Sequence, residues 1–339
     1  MNISARALAA LTLGLGLAAP IALAQDKPVL NVMTYAGLAG KYGPGPKLKA
    51  GFEASCACTL NYIAVDDSGT MLSRLRLEGA AAAADVLVGI DLNLMSEAKA
   101  TGLFAPHGRD AGAMKFDLPI TWSDDTFLPF DYGWFAFVYD SNKLKDAPKS
   151  LRALVEAPDT FKILVQDPRT SSPGLGLLLW IQSVYGDKAP EVWAKLKPKV
   201  VTFTKNWSEA YGLFLKGEAD MVLSYTTSPA YHLIAEKKDN YRAAVFDEGN
   251  FMQVEIAAAL AGAKQPALAK QFLSFLTSEA GQAVLPTTQW MYPARTPAAG
   301  LPEGFSALPK PVKSLVLDSA VVAQNRKAWI DAWLAATAR

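Results

Sequence analysis

Between Thr59 and Ile90 a strand, a helix and a second strand follow one another at βαβ spacing, and this alternation constrains the fold more than any other feature. Thr59 to Val65 alternates apolar residues at the period of a half-buried strand. Asp66-Asp67-Ser68-Gly69-Thr70 precedes a helix that begins near Met71, and Asp85 to Ile90 is a third strand after the first at Pro28 to Met33. Such units require a mostly parallel sheet with helices on both faces, an α/β fold. The pattern resumes downstream. Trp134–Tyr139, Phe161–Val165, Val200–Phe203 and Met221–Ser224 read as strands, with helices expected over Ser141–Glu156, Gly174–Tyr185 and Trp207–Lys216. Gln253–Leu260 reads as a strand returning to the first unit, followed by helices over Pro266–Val284 and Val321–Thr337.

A chain of 339 residues exceeds one ordinary core and suits two domains. The reading is a discontinuous first lobe over residues 25–125 and 250–300, a second lobe over 126–249, and a C-terminal segment over 301–339 that packs on both. Two crossings between α/β lobes leave a cleft, where small ligands bind. Loops following the strands form the ligand-facing ends of such sheets.

Residues 1–24 carry Arg6, an apolar run from Leu8 to Leu23 and the small-residue end Ala22-Leu23-Ala24, the pattern of a cleaved secretory signal peptide. No later stretch reaches the ~20 apolar residues of a membrane span, so the mature protein is expected to be exported to the periplasm and not to span the membrane. The formal net charge is +1 and no Lys/Arg block stands out, which argues against nucleic acid or an anionic membrane surface as partner. Cys56 and Cys58 are the only cysteines. An oxidising compartment favours bridging them, whereas a bridge across one residue closes a small, strained ring, so their redox state stays open. A metal site would need two further ligands, and His107 and His232 lie far from the pair in sequence.

Several longer runs are idiosyncratic: Tyr42-Gly43-Pro44-Gly45-Pro46; Phe130-Asp131-Tyr132-Gly133; Gln166 through Gly176; Trp207 through Lys216; Leu223 through Tyr231; and Trp290-Met291-Tyr292-Pro293. Together they resemble the thiamine-binding periplasmic proteins of bacterial ABC importers, over nearly the whole mature chain. The resemblance implies a two-lobed type II periplasmic-binding fold with a hinge between the lobes. It also implies a non-catalytic role without a cofactor: capture of thiamine, thiamine monophosphate or thiamine diphosphate, and delivery to a membrane permease. It carries ligand contacts onto Asp67, Ser171, Trp207, Tyr225, Tyr231 and Trp290, with Tyr35 and Tyr42 in the first loop of the cleft.

The chemistry suits such a ligand. A permanent thiazolium cation is held against Trp or Tyr faces at ~0.5–2 kcal/mol per contact, and a flat pyrimidine stacks between rings for ~0.5–1.5 kcal/mol per pair. Trp207 and Tyr225 stand at element ends, where a side chain can face a cleft as well as a core. Asp67 can meet the aminopyrimidine or the cationic ring, or cap the helix behind it, a role that Asp66 suits better. Ser171 and Ser172 precede Pro173 at a helix start, a place either for ordinary capping or for an anion such as a phosphate ester. Gly174-Leu175-Gly176 is too short for a nucleotide fingerprint. A thiaminase-like transferase on the same fold would need a thiol with a nearby base, and an iron binder would need paired tyrosines; neither constellation is visible in the sequence.

Overall fold

The computed structural model describes residues 27–110 and 114–338, so the segment read as a signal peptide lies outside the described residues. Eight strands form one continuous path: β1 (Val29–Tyr35), β2 (Thr59–Val65), β3 (Val86–Asp91), β4 (Leu128–Asp140), β5 (Ile163–Gln166), β6 (Val200–Thr204), β7 (Met221–Tyr225) and β8 (Asn250–Leu260). Their order is β2-β1-β3-β8-β4-β7-β5-β6. The outer trios are parallel, β2-β1-β3 on one side and β7-β5-β6 on the other, as the βαβ spacing requires. Both trios meet the middle of the sheet through antiparallel pairings: β8 with β3, β8 with β4, and β4 with β7. The sheet is therefore mixed, because the two central strands arrive by returns and not by crossovers.

These two strands position everything that follows. Leu128 to Trp134 of β4 pairs with β8, whereas Phe135 to Tyr139 pairs with β7, so one 13-residue strand serves both halves of the molecule. Every residue of β8 is buried, consistent with a strand covered on both faces. Helices α1 (Gly45–Cys56), α2 (Ser68–Glu78) and α3 (Ser172–Tyr185) follow the strands of either side. After them come α4 (Ala189–Leu196), α5 (Trp207–Leu215), α6 (Pro266–Leu276) and α7 (Ser319–Thr337). Helix α7 reaches both halves. Arg326 Nε donates to Glu97 Oε1 at 2.6 Å on one side, while the Trp333 ring lies 5.1 Å from Phe203 and 6.3 Å from Trp193 on the other. No helix among the described residues is long and apolar enough to cross a membrane.

Two helices are shorter than the periodicity implies. Ser141–Glu156 is helical only over Leu151–Glu156, where Ser150 Oγ accepts from Ala153 N at 2.9 Å. Upstream, the Asp140 carboxylate takes the Asn142 N–H and turns the chain, and Pro148 cannot continue a helix. Pro266–Val284 breaks after Leu276, where Thr277 Oγ bonds back to the Leu273 carbonyl and Ser278 caps a separate turn over Glu279–Gln282. Cys56 and Cys58 are joined at the end of α1, around Ala57 in the left-handed region at φ 49°.

The glycines of Gly174-Leu175-Gly176 serve packing. A Cβ on Gly174 would stand 2.5 Å from the Gln166 carbonyl oxygen, and one on Gly176 would stand 2.0 Å from the Phe135 ring. Small residues here let the first turn of α3 lie directly against β4 and β5. Gly176→Ala is accordingly expected to destabilise the protein by about 1–3 kcal/mol through overpacking, despite the better helix propensity of alanine. The check is thermal unfolding, and an unchanged midpoint would mean that the Phe135 ring moves aside at no cost.

Candidate functional site

A cavity of about 660 Å³ opens where the two halves face each other, within the range of small-molecule sites. Three helix N-termini converge on it: Asp67-Ser68 of α2, Ser172-Pro173 of α3 and Asn206-Trp207-Ser208 of α5. The C-terminal ends of β1 and β7 supply Tyr35 and Tyr225, and the turn Thr287–Met291 closes the remaining side. This is the ligand-facing end of such sheets.

Seven of the eight residues singled out in the sequence line the cavity: Tyr35, Tyr42, Asp67, Trp207, Tyr225, Tyr231 and Trp290. Ser171 does not. It is the buried N-cap residue of α3, 1% exposed, and Ser172 stands at the wall in its place. The helix begins at Ser172, before the expected Gly174, and its N-cap Ser171 is buried behind Ser172.

The cap of α2 falls to Asp67 and not to Asp66, and both residues line the cavity. Asp67 is the N-cap of α2, with Oδ1 accepting from Ser68 N at 2.7 Å in a reciprocal capping box with Thr70. Asp66 is exposed and makes an ion pair with Lys205 at 3.6 Å. Capping and cavity lining thus coincide in Asp67, because a carboxylate at a helix N-terminus points along the helix axis into the space the helix faces. Its Oδ1 also accepts from Ser172 N at 3.3 Å, from the other half of the molecule, and the Ser68 and Ser172 hydroxyls touch. Burial raises the Asp67 pKa, opposed by the hydroxyls of Ser171 and Ser68 and the N–H groups of Ser68 and Ser172.

The aromatic walls are braced from behind. Trp207 Nε1 donates to Ser224 Oγ at 2.8 Å, and its ring stacks on Tyr211 at 4.8 Å and 24°. Tyr211 in turn bonds His232 Nε2 at 2.9 Å, and the His232 ring stacks on Tyr241 at 3.9 Å. Burial holds the His232 pKa below its ordinary value, so the ring stays neutral in this stack. Trp290 meets Tyr231 edge-on at 5.4 Å. It has φ 59°, a conformation rare for a bulky residue and costing of order 1–3 kcal/mol. Its N–H is held by the Leu285 carbonyl at 3.1 Å.

The polar floor of the cavity was not foreseen. Glu255 of β8 lines it, 5% exposed, and accepts from Tyr35 OH at 2.9 Å, Gln289 Nε2 at 3.2 Å and Gln253 Nε2 at 3.1 Å. Tyr225 OH donates to Gln253 Oε1 at 2.8 Å and completes the network. Burial, then the negative Glu255, raises the pKa of both tyrosines far above the usual phenol range, so both remain donors. The signal was present in the sequence: Phe251–Leu260 is apolar except for Gln253 and Glu255, and a lone carboxylate in a buried strand needs a reason. Asp167 pairs with Arg169 at 2.5 Å, as its sequence position allows, and is not part of the wall.

An apolar, ring-lined cavity with a few convergent polar groups, set between two halves that share two strands, defines a solute-binding module. The chain belongs to the bacterial extracellular solute-binding proteins, whose family model matches residues 47–312. Within that family it falls among the thiamine-binding periplasmic proteins. It is 56% identical to the thiamine-binding periplasmic protein of Escherichia coli K12 over 92% of this chain and 94% of that one. Its identity to the Brucella abortus protein of the same name is 52%, over 95% of each chain. A solved periplasmic thiamin binding protein superposes with a TM-score of 0.89 at 56% identity, covering 92% of this chain and 97% of that chain.

Proposed function

We propose that this protein captures thiamine and its phosphate esters in the periplasm and delivers them to the membrane permease of an ABC importer. The observation that carries the reading is the meeting of aromatic faces and buried carboxylates in one cavity. Trp207, Tyr225, Tyr231 and Trp290 offer π faces, while Asp67 and Glu255 supply negative charge. A cationic thiazolium ring gains from both, and an aminopyrimidine fits between rings with Asp67 accepting from its amino group.

A phosphate ester would extend toward Ser172 and the N-terminus of α5, where backbone N–H groups favour anions, with Lys41 at the rim. In this reading residues 25–125 with 250–300 and residues 126–249 are the two lobes. They close about β4 and β8, and the permease recognises the closed form. Catalysis through a thiol has no group to use here, because Cys56 and Cys58 bond each other and neither lines the cavity.

Titration calorimetry tests the reading. Thiamine is expected to bind with submicromolar affinity and to quench tryptophan fluorescence, with the monophosphate and diphosphate binding in the same cavity. Absence of heat with all three would overturn it.

A further inference from the structure

Three carboxyl groups stand abreast across the middle of the sheet. In the strand register Glu255 of β8 is opposite Asp131 of β4 on one side and Asp91 of β3 on the other. Residues directly opposite on neighbouring strands project from the same face. All three are buried, at 5%, 0% and 1% exposure. Among the described residues none of them makes an ion pair with Lys, Arg or His. No metal-holding group of His, Cys, Asp and Glu occurs there either.

Their partners differ. Asp91 is satisfied at one oxygen by Asn93, and burial raises its pKa to about 7. Glu255 has its three donors and reaches the cavity. Asp131 has no hydrogen bond of full geometry at either oxygen, and its polar neighbours are the Glu255 carboxyl and the Gln289 amide. The groups that face Glu255 are Tyr35 from β1, Asp131 from β4, Asp91 from β3, Tyr225 from β7, Gln253 from its own strand and Gln289 from the closing turn. None is a cation. Two carboxylates side by side without a cation cannot both remain ionised in a buried site. Burial, then the negative neighbour, raises the pKa of Glu255, and burial raises that of Asp131.

We propose that Glu255, backed by Asp131, selects a positively charged ligand for this cavity, and that the pair holds one proton while the cavity is empty and releases it to solvent when the cation arrives. The inference rests on the thiamine reading above and deepens it. A thiazolium ring above Glu255 supplies the positive charge that the proton supplied before. The exchange balances: one cation enters, one proton leaves, and the site keeps its net charge. A cation favours the ionised form, so binding lowers the apparent pKa of the pair. Affinity therefore rises with pH, by at most about tenfold per unit, until the pair is ionised in the empty protein.

The experiment is calorimetry of thiamine binding to the mature protein at about pH 7, in two buffers of different ionisation heat. The expected result is a net release of protons on binding, read from the buffer dependence of the heat, and an affinity that increases with pH through the range in which the empty pair loses its proton. Glu255→Gln is expected to abolish the release, flatten the pH profile and weaken binding at least tenfold. It should also narrow the preference for thiamine over its uncharged oxidised tricycle, thiochrome. Asp131→Asn removes the second carboxyl of the pair, so it too should lose the release and flatten the pH profile, and an unchanged thermal midpoint in both variants separates proton exchange from misfolding. Thiamine binding with heats independent of buffer and pH overturns the inference and leaves the binding reading standing. Wild-type affinity and selectivity in Glu255→Gln also overturn it, and absence of thiamine binding removes both.

Discussion

Trp207→Ala and Trp290→Ala are each expected to weaken thiamine binding at least tenfold without altering the fold. Neither ring is itself fully buried, so truncation removes cavity wall and exposes only the edge of the cluster each ring packs against. The Trp207 indole is fixed at its nitrogen by Ser224 and at its face by Tyr211, so it presents one surface to a ligand without reorganising. A cation–π contact of about 0.5–2 kcal/mol with a stack of about 0.5–1.5 kcal/mol totals roughly 1–3.5 kcal/mol, and tenfold corresponds to about 1.4 kcal/mol. Trp290 holds its place against an unfavourable backbone conformation, which ties the ring to that turn. Trp207→Phe should fall between, because it keeps a π face but loses the bond to Ser224. Calorimetry measures the loss and thermal unfolding checks the fold; wild-type affinity in both alanine variants would remove these rings from the site.

How much of this was legible in the residues divides along a physical line. Period-2 and period-3.6 patterns report burial one element at a time, so most strands of both halves and the helices α3, α5 and α7 were readable within a few residues. Direction was not. The antiparallel entry of β4 and β8 is decided by pairings between residues more than a hundred positions apart, such as Glu255 with Asp131, and local periodicity carries no trace of them.

The site followed the same rule. Aromatics at element ends were found because a loop position and a ring are both local facts. Ser171 and Ser172 were read together with no means of choosing which faces the cavity, because a helix start is fixed by capping geometry, which several Ser, Thr and Asp candidates satisfy equally on paper. Capping by Asp67 in place of Asp66 has the same origin. Gln289 reaches Tyr35 and Glu255 only through the tertiary fold, and nothing in its neighbourhood marks it. Glu255 is the instructive case, since an acidic residue inside an apolar strand was visible and its cost was calculable before any contact was known.

Gly69→Val is expected to weaken binding roughly 5–150-fold by a different route, by wedging the two halves apart. Gly69 lies in the first turn of α2, and a Cβ there would stand 2.4 Å from the Thr170 carbonyl oxygen and 2.6 Å from its carbon. Those are backbone atoms, and they cannot swing away as the end of a side chain can. The same seam carries the Asp67–Ser172 hydrogen bond and the Asp66–Lys205 ion pair, so the clash falls where the halves touch across the cavity. If closure is a two-state equilibrium, a penalty of about 1–3 kcal/mol on the closed state alone reduces apparent affinity by roughly 5–150-fold. Gly69→Ala should give a smaller loss in the same direction. The unliganded protein should keep its thermal midpoint or gain slightly, because any residue other than proline is a better helix former than glycine. Small-angle scattering separates this from damage to the cavity: wild type should compact on adding thiamine, whereas Gly69→Val should compact less at saturating ligand. Full compaction with wild-type affinity would mean that the halves do not close through this seam.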